Sequence, residues 1–133
     1  MSKLVALSEA GSIAIHSMVL IAKSDKLLNV ITISECTGSS KHHIAKILQR
    51  LVKVGFLKST RGPSGGFLLD KNPQEIALLD IYEAVEGKID TPTCPMDKLV
   101  CPFQKCIMDN LVNKLTTDFI DFLKGKSLLD YLA

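Results

Sequence analysis

The chain has 133 residues, of which 47% are hydrophobic, 23% are charged and 5% are aromatic, with no Trp. This length suits one ordinary domain with an appended element, and the composition excludes wholesale disorder. A core without Trp has to be built from Leu, Ile, Val and Ala, which favours helices. The longest apolar run, residues 13–22, is too short to cross a bilayer, so we expect a cytoplasmic protein.

The charge is distributed unevenly along the chain. Residues 1–35 are neutral overall, and residues 70–133 carry a net charge of −4. Residues 36–69 contain six basic residues and no Asp or Glu, for a net charge of +6. Such a stretch is typical of a surface that binds a polyanion, although an ordinary solvated basic face has the same composition.

The first half of the chain has the pattern of a helix-turn-helix. Apolar spacing predicts a helix from about Glu9 to Lys23, capped by Ser8, and a short helix that opens at Ile31 and ends near Gly38. A stronger amphipathic helix is predicted over residues 40–54, with Ser39 or Ser40 as its cap. Its apolar positions 44, 47, 48, 51 and 52 form one stripe, so the pair of helices matches the helix-turn-helix arrangement.

Two short strands are predicted next, over residues 56–60 and 67–69. The turn between them reads Arg61-Gly62-Pro63-Ser64-Gly65-Gly66, which is typical of a β-hairpin. A hairpin directly after a helix-turn-helix is a wing. The turn lacks the Gly-Lys-Ser/Thr of a phosphate-binding loop.

The C-terminal part is predicted to hold a helix from Leu78 to Glu86, an irregular loop over residues 88–105, a long helix from Cys106 to about Lys124 and a final helical turn over 128–132. The fold class is therefore mainly α with a small β-hairpin. We expect a winged helix-turn-helix domain in residues 1–87, a cysteine-containing loop in residues 88–106, and the long helix with its final turn in residues 107–133.

The outward side of the 40–54 helix carries basic or hydrogen-bonding residues and none that is acidic. A helix that enters the major groove of DNA needs this division, with base contacts from its first turn and phosphate contacts from its flanks. An Arg on a compact wing turn is suited to a narrow minor groove. The alternatives are a surface helix that binds nothing and a metal site at the adjacent histidines, whose side chains point about 100° apart. We expect Ser40, Lys41, His42 and His43 near bases, Lys46, Arg50 and Lys53 near phosphates, and Arg61 in the minor groove.

Three cysteines fall close together in the loop, at Cys94, Cys101 and Cys106. Three thiolates from one loop can occupy three corners of an iron–sulfur cluster, with a fourth ligand from elsewhere. Zinc and a metal-free thiol switch remain open, although the Cys-x2-Cys pairs usual for zinc are missing. The isolated Cys36 is interpreted as a small buried hydrophobe.

The order of these elements, with the Arg61–Leu69 wing sequence and the three loop cysteines after it, resembles the IscR/NsrR family of bacterial regulators over residues 4–132. The resemblance implies a homodimeric winged-helix transcription factor that binds a palindromic operator in double-stranded DNA. It also implies that the long C-terminal helix forms the dimer interface. Cys94, Cys101 and Cys106 would hold an iron–sulfur cluster whose state sets DNA affinity.

The fourth ligand and the cluster type, 2Fe–2S or 4Fe–4S, stay open. In the IscR type a His lies three residues after the third cysteine, and Asp109 occupies that position here. In other members a first-helix side chain of the second copy completes the site, and His16 and Glu9 are the candidates. His16 has a plain interpretation as a core-facing or capped histidine, and Asp109 as an exposed helix residue near an N-terminus.

The leading hypothesis is a DNA-binding regulator, not an enzyme, that senses redox state, nitric oxide or iron. A second hypothesis keeps DNA binding but uses the cysteines for zinc or a thiol/disulfide switch. A third, from another class, is a small iron–sulfur electron carrier. An electron carrier would not need residues 36–69 to be basic.

Overall fold

The computed structural model of the chain describes residues 7–90 and 102–132. In that part the fold is mainly α with one two-stranded hairpin, as the sequence predicts. No helix among these residues is long and apolar enough to cross a membrane. The elements in chain order are α1 (Glu9–Lys23), α2 (Val30–Thr37), α3 (Lys41–Lys53), β1 (Leu57–Thr60), β2 (Gly66–Leu69), a 3-10 turn (Pro73–Glu75), α4 (Leu78–Glu86), α5 (Leu111–Gly125) and a second 3-10 turn (Leu128–Tyr131).

Local sequence fixes where the first three helices begin. In each, a side-chain oxygen before the helix accepts a hydrogen bond from a backbone N–H in the first turn, which satisfies a donor that the helix itself leaves unpaired. Ser8 Oγ accepts from the backbone N–H of Gly11 at 3.0 Å. Asn29 Oδ1 accepts from that of Thr32 at 2.8 Å, and Ser40 Oγ from that of His43 at 3.1 Å. The bounds predicted for α1 and α4 are confirmed, α2 begins one residue earlier than predicted, and α3 differs by one residue at each end.

A single apolar core joins the helix-turn-helix to the C-terminal elements. α1 packs against α3 and α4, and α2 packs against α3. Two backbone bonds attach the C-terminus to the same core, from Leu78 N–H to the Lys126 carbonyl at 2.9 Å and from Leu128 N–H to the Ile76 carbonyl at 3.0 Å. The core side chains with no exposed surface are Ala14, Met18, Ile33, Ile44, Leu48, Leu51, Ile76, Ile81 and Leu128.

The hairpin is anchored on one face and free on the other. β1 and β2 pair antiparallel, with Leu57 opposite Leu69, and Leu57 and Phe67 are buried. The backbone N–H of Phe67 donates to the Leu28 carbonyl at 2.8 Å, which ties the hairpin to the segment before α2. The turn over residues 61–64 is exposed and projects beyond this anchor, as expected for a wing.

The start predicted for the last long helix is wrong. α5 begins at Leu111 rather than Cys106, and residues 107–110 form turns. Asp109 and Asn110 have φ of +55° and +59°. This left-handed conformation interrupts a right-handed helix, so the apolar spacing from Ile107 onward does not reflect one continuous helix.

Gly11 offers a direct check on how α1 packs against α4. A Cβ at this position would lie 2.6 Å from Cδ2 of Tyr82, whose ring packs edge-on against Phe119 at 6.2 Å. Alanine favours helices over glycine by about 1 kcal/mol, but the clash should outweigh this gain. We expect Gly11→Ala to lower the free energy of unfolding by about 1–3 kcal/mol, measured by urea denaturation.

The matched control is Gly125→Ala at the end of α5. A Cβ there meets nothing within 4 Å, so stability should stay the same or rise. Equal stabilisation by both substitutions would contradict the packing of α1 on α4.

Candidate functional site

The amphipathic helix α3 presents a basic face that the core holds in place. Its buried side chains are Ile44, Ile47, Leu48 and Leu51, and no acidic residue lies in its first turn. The Ser40 cap orders that turn, where direct contacts with a ligand are expected. The predicted contact residues that lie exposed on α3 are Lys41, His42, Lys46, Arg50 and Lys53.

Arg50 differs from the other basic residues of this face. Its Nη1 donates to the backbone carbonyl of Val85 at 2.9 Å and so connects α3 to the last turn of α4. One of the five guanidinium N–H donors is therefore used within the fold, and four remain for other partners. No sequence pattern predicts this bond, because residues 50 and 85 belong to separate elements.

His43 contacts a carboxylate that the sequence pattern does not reveal. Its Nδ1 lies 3.6 Å from Oε1 of Glu9, in the first turn of α1. Residues 36–69 contain no Asp or Glu of their own. The fold therefore brings an acidic side chain to a surface that the sequence alone presents as purely basic.

A groove of about 550 Å³ separates α3 from the wing. Its lining includes Asn29 at the start of α2, Gln49 of α3, and Ser59, Thr60 and Arg61 of the hairpin. Arg61 is exposed, and its guanidinium makes no hydrogen bond or ion pair within the described residues. The groove is thus partly polar, carries the positive charge of Arg61 and borders α3 at Gln49.

Of the three loop cysteines, Cys94 and Cys101 lie outside the described residues. Cys106 is half-buried in the turn before α5. The backbone N–H groups of Asn110 and Met108 donate hydrogen bonds to its sulfur, with the larger effect from Asn110. They hold the pKa of the Cys106 thiol below its ordinary value. This environment stabilises the thiolate, which is the form that binds metals and acts as a nucleophile.

The three candidates for a fourth ligand are all exposed. Glu9 lies beside His43, and Asp109 lies in the turn after Cys106 rather than in a helix. His16 is exposed rather than core-facing, with Nδ1 2.6 Å from the Ser12 carbonyl oxygen. Residues 7–90 and 102–132 contain no group of three or more His, Cys, Asp or Glu side chains placed to hold a metal ion.

The interpretation of Cys36 as a buried hydrophobe is wrong. Its side chain is exposed on α2 and lines a cavity of about 610 Å³ between α1, α2 and the C-terminal 3-10 turn. His16 and Tyr131 line the same cavity. The thiol is accessible because α2 is short and buries Ile33 alone, which leaves this side of the helix open.

A helix-turn-helix with a basic outward helix, followed by an antiparallel hairpin with an exposed Arg, defines the winged-helix class of DNA-binding proteins. Residues 7–133 match the model of the Rrf2 family, described as iron-dependent transcriptional regulator. The chain belongs to this family. Its relatives are transcriptional regulators, which are not enzymes in general.

Two relatives illustrate the similarity in sequence. The chain is 31% identical over 124 residues to the HTH-type transcriptional regulator IscR of Pectobacterium atrosepticum, which covers 92% of this chain and 76% of the relative. It is 29% identical, with the same coverage, to IscR of Escherichia coli.

Two solved structures share the fold. CymR of B. subtilis, described as the global cysteine regulator, superposes with a TM-score of 0.75 at 23% identity over 97% of both chains. IscR of T. potens gives a TM-score of 0.74 at 23% identity, over 97% of this chain and 87% of the other.

Arg61 and Arg50 should respond differently to substitution by alanine. Arg61 is exposed on the wing turn, so Arg61→Ala should change the free energy of unfolding by no more than about 0.5 kcal/mol while weakening binding to duplex DNA by about tenfold. Arg50→Ala removes the bond to Val85 and should cost about 1 kcal/mol of stability. Thermal denaturation and fluorescence anisotropy with labelled duplex measure the two effects. A large fall in the melting temperature of Arg61→Ala would show that Arg61 is structural.

Proposed function

We propose that this protein is a homodimeric regulator that binds a palindromic operator through α3 and the wing, with an iron–sulfur cluster that controls its operator affinity. The observation that carries the proposal is the exposed basic face of α3, held by a buried apolar stripe and placed beside the wing. The signal would be redox state, nitric oxide or iron.

In this arrangement α3 enters the major groove with its capped first turn foremost. Ser40, Lys41, His42 and His43 face base edges, and Lys46 and Lys53 contact phosphates. Arg50 adds a phosphate contact through the guanidinium N–H groups that are not bonded to the Val85 carbonyl. Arg61 reaches the adjacent minor groove of the DNA. The protein groove between α3 and the wing faces the phosphates that lie between the major and minor grooves.

The exposed apolar side of α5 supports the dimer. Leu111, Leu115 and Phe122 are 44%, 48% and 57% exposed, and Met108 and Ile107 extend this surface before the helix. Exposed apolar side chains at helical spacing are typical of a protein–protein interface. A second copy that covers them would present two α3 helices to major grooves about 34 Å apart.

The cysteine loop supplies the sensing part of the proposal. Cys94, Cys101 and Cys106 would hold the cluster, and Asp109, or Glu9 or His16 of the second copy, would complete the site. Three thiolates suit iron–sulfur chemistry, and the backbone N–H groups at Cys106 stabilise its thiolate. A bound cluster supplies a centre that responds to oxidants, nitric oxide and iron supply. The loop, residues 88–106, connects the winged-helix domain (1–87) to the dimerisation segment (107–133), so a cluster bound there would bias the placement of the two wings.

A thiol switch without a cluster is the second candidate function. It is favoured by the stabilised thiolate of Cys106 and by the exposure of Cys36. Zinc would use the same loop thiolates. The family assignment favours any of these regulators over the small electron carrier.

Metal and sulfide counts separate the cluster from its alternatives. Protein isolated without oxygen should contain iron and acid-labile sulfide and absorb visible light. Cys94→Ala/Cys101→Ala/Cys106→Ala should lose the iron, the sulfide and the absorbance, because three ligands are removed. Cys36→Ala is the matched control and should keep all three. Zinc without sulfide, or a thiol-only protein, would overturn the cluster and leave the second candidate.

The interface is tested by Leu115→Asp. Leu115 is 48% exposed in the single chain, so an added carboxylate should not unfold it, but it would be costly to bury in a dimer. Sedimentation velocity should show a shift from dimer to monomer. Thr117→Asp adds the same charge at another exposed position of α5 and should remain dimeric. An unchanged sedimentation coefficient for Leu115→Asp would place the interface elsewhere.

A further inference from the structure

A carboxylate from α1 lies beside the surface expected to bind DNA. Glu9 Oε1 lies 3.6 Å from His43 Nδ1, with 78% of the Glu9 side chain and 37% of the His43 side chain exposed. Among the described residues, no other acidic side chain lies this close to a basic one. The contact therefore links the start of α1 to the first turn of α3.

The backbone on both sides of this contact is well fixed. Glu9 follows the Ser8 cap directly, and His43 N–H donates to the Ser40 cap. α1 and α3 also pack against each other through the core. The nearness of Glu9 to the first turn of α3 is thus a property of the fold rather than of two flexible side chains.

We propose that Glu9 is a specificity-determining residue that weakens non-selective binding to DNA. The inference rests on the proposed binding of DNA by α3. The Glu9 carboxylate repels the phosphates that approach this end of the helix and holds His43, which has to leave Glu9 before it contacts DNA. Binding to any duplex requires this free energy, whatever its sequence. Only a duplex with a matching sequence offsets it, because there His43 gains a contact with a base.

Glu9 also has an ordinary role at the start of a helix. A carboxylate in the first turn interacts favourably with the positive end of the helix dipole. That role affects the stability of α1 but not the affinity for DNA through His43. The test therefore measures DNA binding in two backgrounds rather than stability.

The experiment is a double-mutant cycle with a mixed-sequence duplex pool as the probe. Affinities are measured by fluorescence anisotropy for the full-length wild type, Glu9→Gln, His43→Ala and the double variant. Glu9→Gln should bind the pool about threefold more tightly than the wild type, because His43 no longer has to leave a carboxylate and one repulsive charge is gone. In the His43→Ala background the same substitution should have a smaller effect, because it then removes only the repulsion of phosphates.

The charge control is Glu75→Gln, which removes an exposed carboxylate from the Pro73–Glu75 turn and should leave affinity unchanged. An unchanged affinity for Glu9→Gln, or an equal gain in both backgrounds, would overturn the inference. Lys46→Ala/Lys53→Ala reports on the proposed function separately. If this pair weakens binding while Glu9→Gln has no effect, only the inference about Glu9 fails. If the pair has no effect, α3 is not the DNA surface and both fail.

Discussion

The packing of one amphipathic helix positions the whole candidate site. Ile44, Leu48 and Leu51 are fully buried, and they hold α3 against α1 and α2. A helix fixed on one side presents its other side in a single orientation, so the basic residues of α3 share one face. The wing and the α1 carboxylate are positioned relative to the same core.

Local signals made most of the fold predictable. Side-chain caps at Ser8 and Ser40 and the glycine at Gly38, with φ of +74°, set helix ends that depend on a few neighbouring residues. The period of the apolar residues then identified which side of α3 is buried. The hairpin followed from a turn rich in Gly and Pro between two apolar segments.

Features that depend on tertiary contacts were not predictable. The Arg50–Val85 and Glu9–His43 contacts join residues far apart in sequence, and no pattern of one segment reports them. The exposure of Cys36 depends on what packs beside α2, and residue type alone suggested burial. α5 starts later than the apolar spacing predicts, because Asp109 and Asn110 adopt a left-handed backbone while that spacing continues across them.

The structure also connects the two halves of the proposed function. Glu9 lies beside the first turn of α3 and is also a candidate ligand for a cluster held by the loop cysteines of a second copy. The apolar surface of α5 begins a few residues after Cys106, so the cysteine turn and the proposed interface adjoin. A change at the cysteines would therefore act close to the proposed dimer interface.

The salt dependence of duplex binding tests most directly whether α3 and the wing hold DNA. Counterion release makes the logarithm of the affinity fall linearly with the logarithm of salt concentration, by about 0.9 for each phosphate contact. The account predicts a steep slope for the wild type and a slope shallower by about 2 per subunit when Lys46 and Lys53 are both replaced by alanine. Binding that does not change with salt, or a slope that this double substitution leaves unaltered, would contradict it.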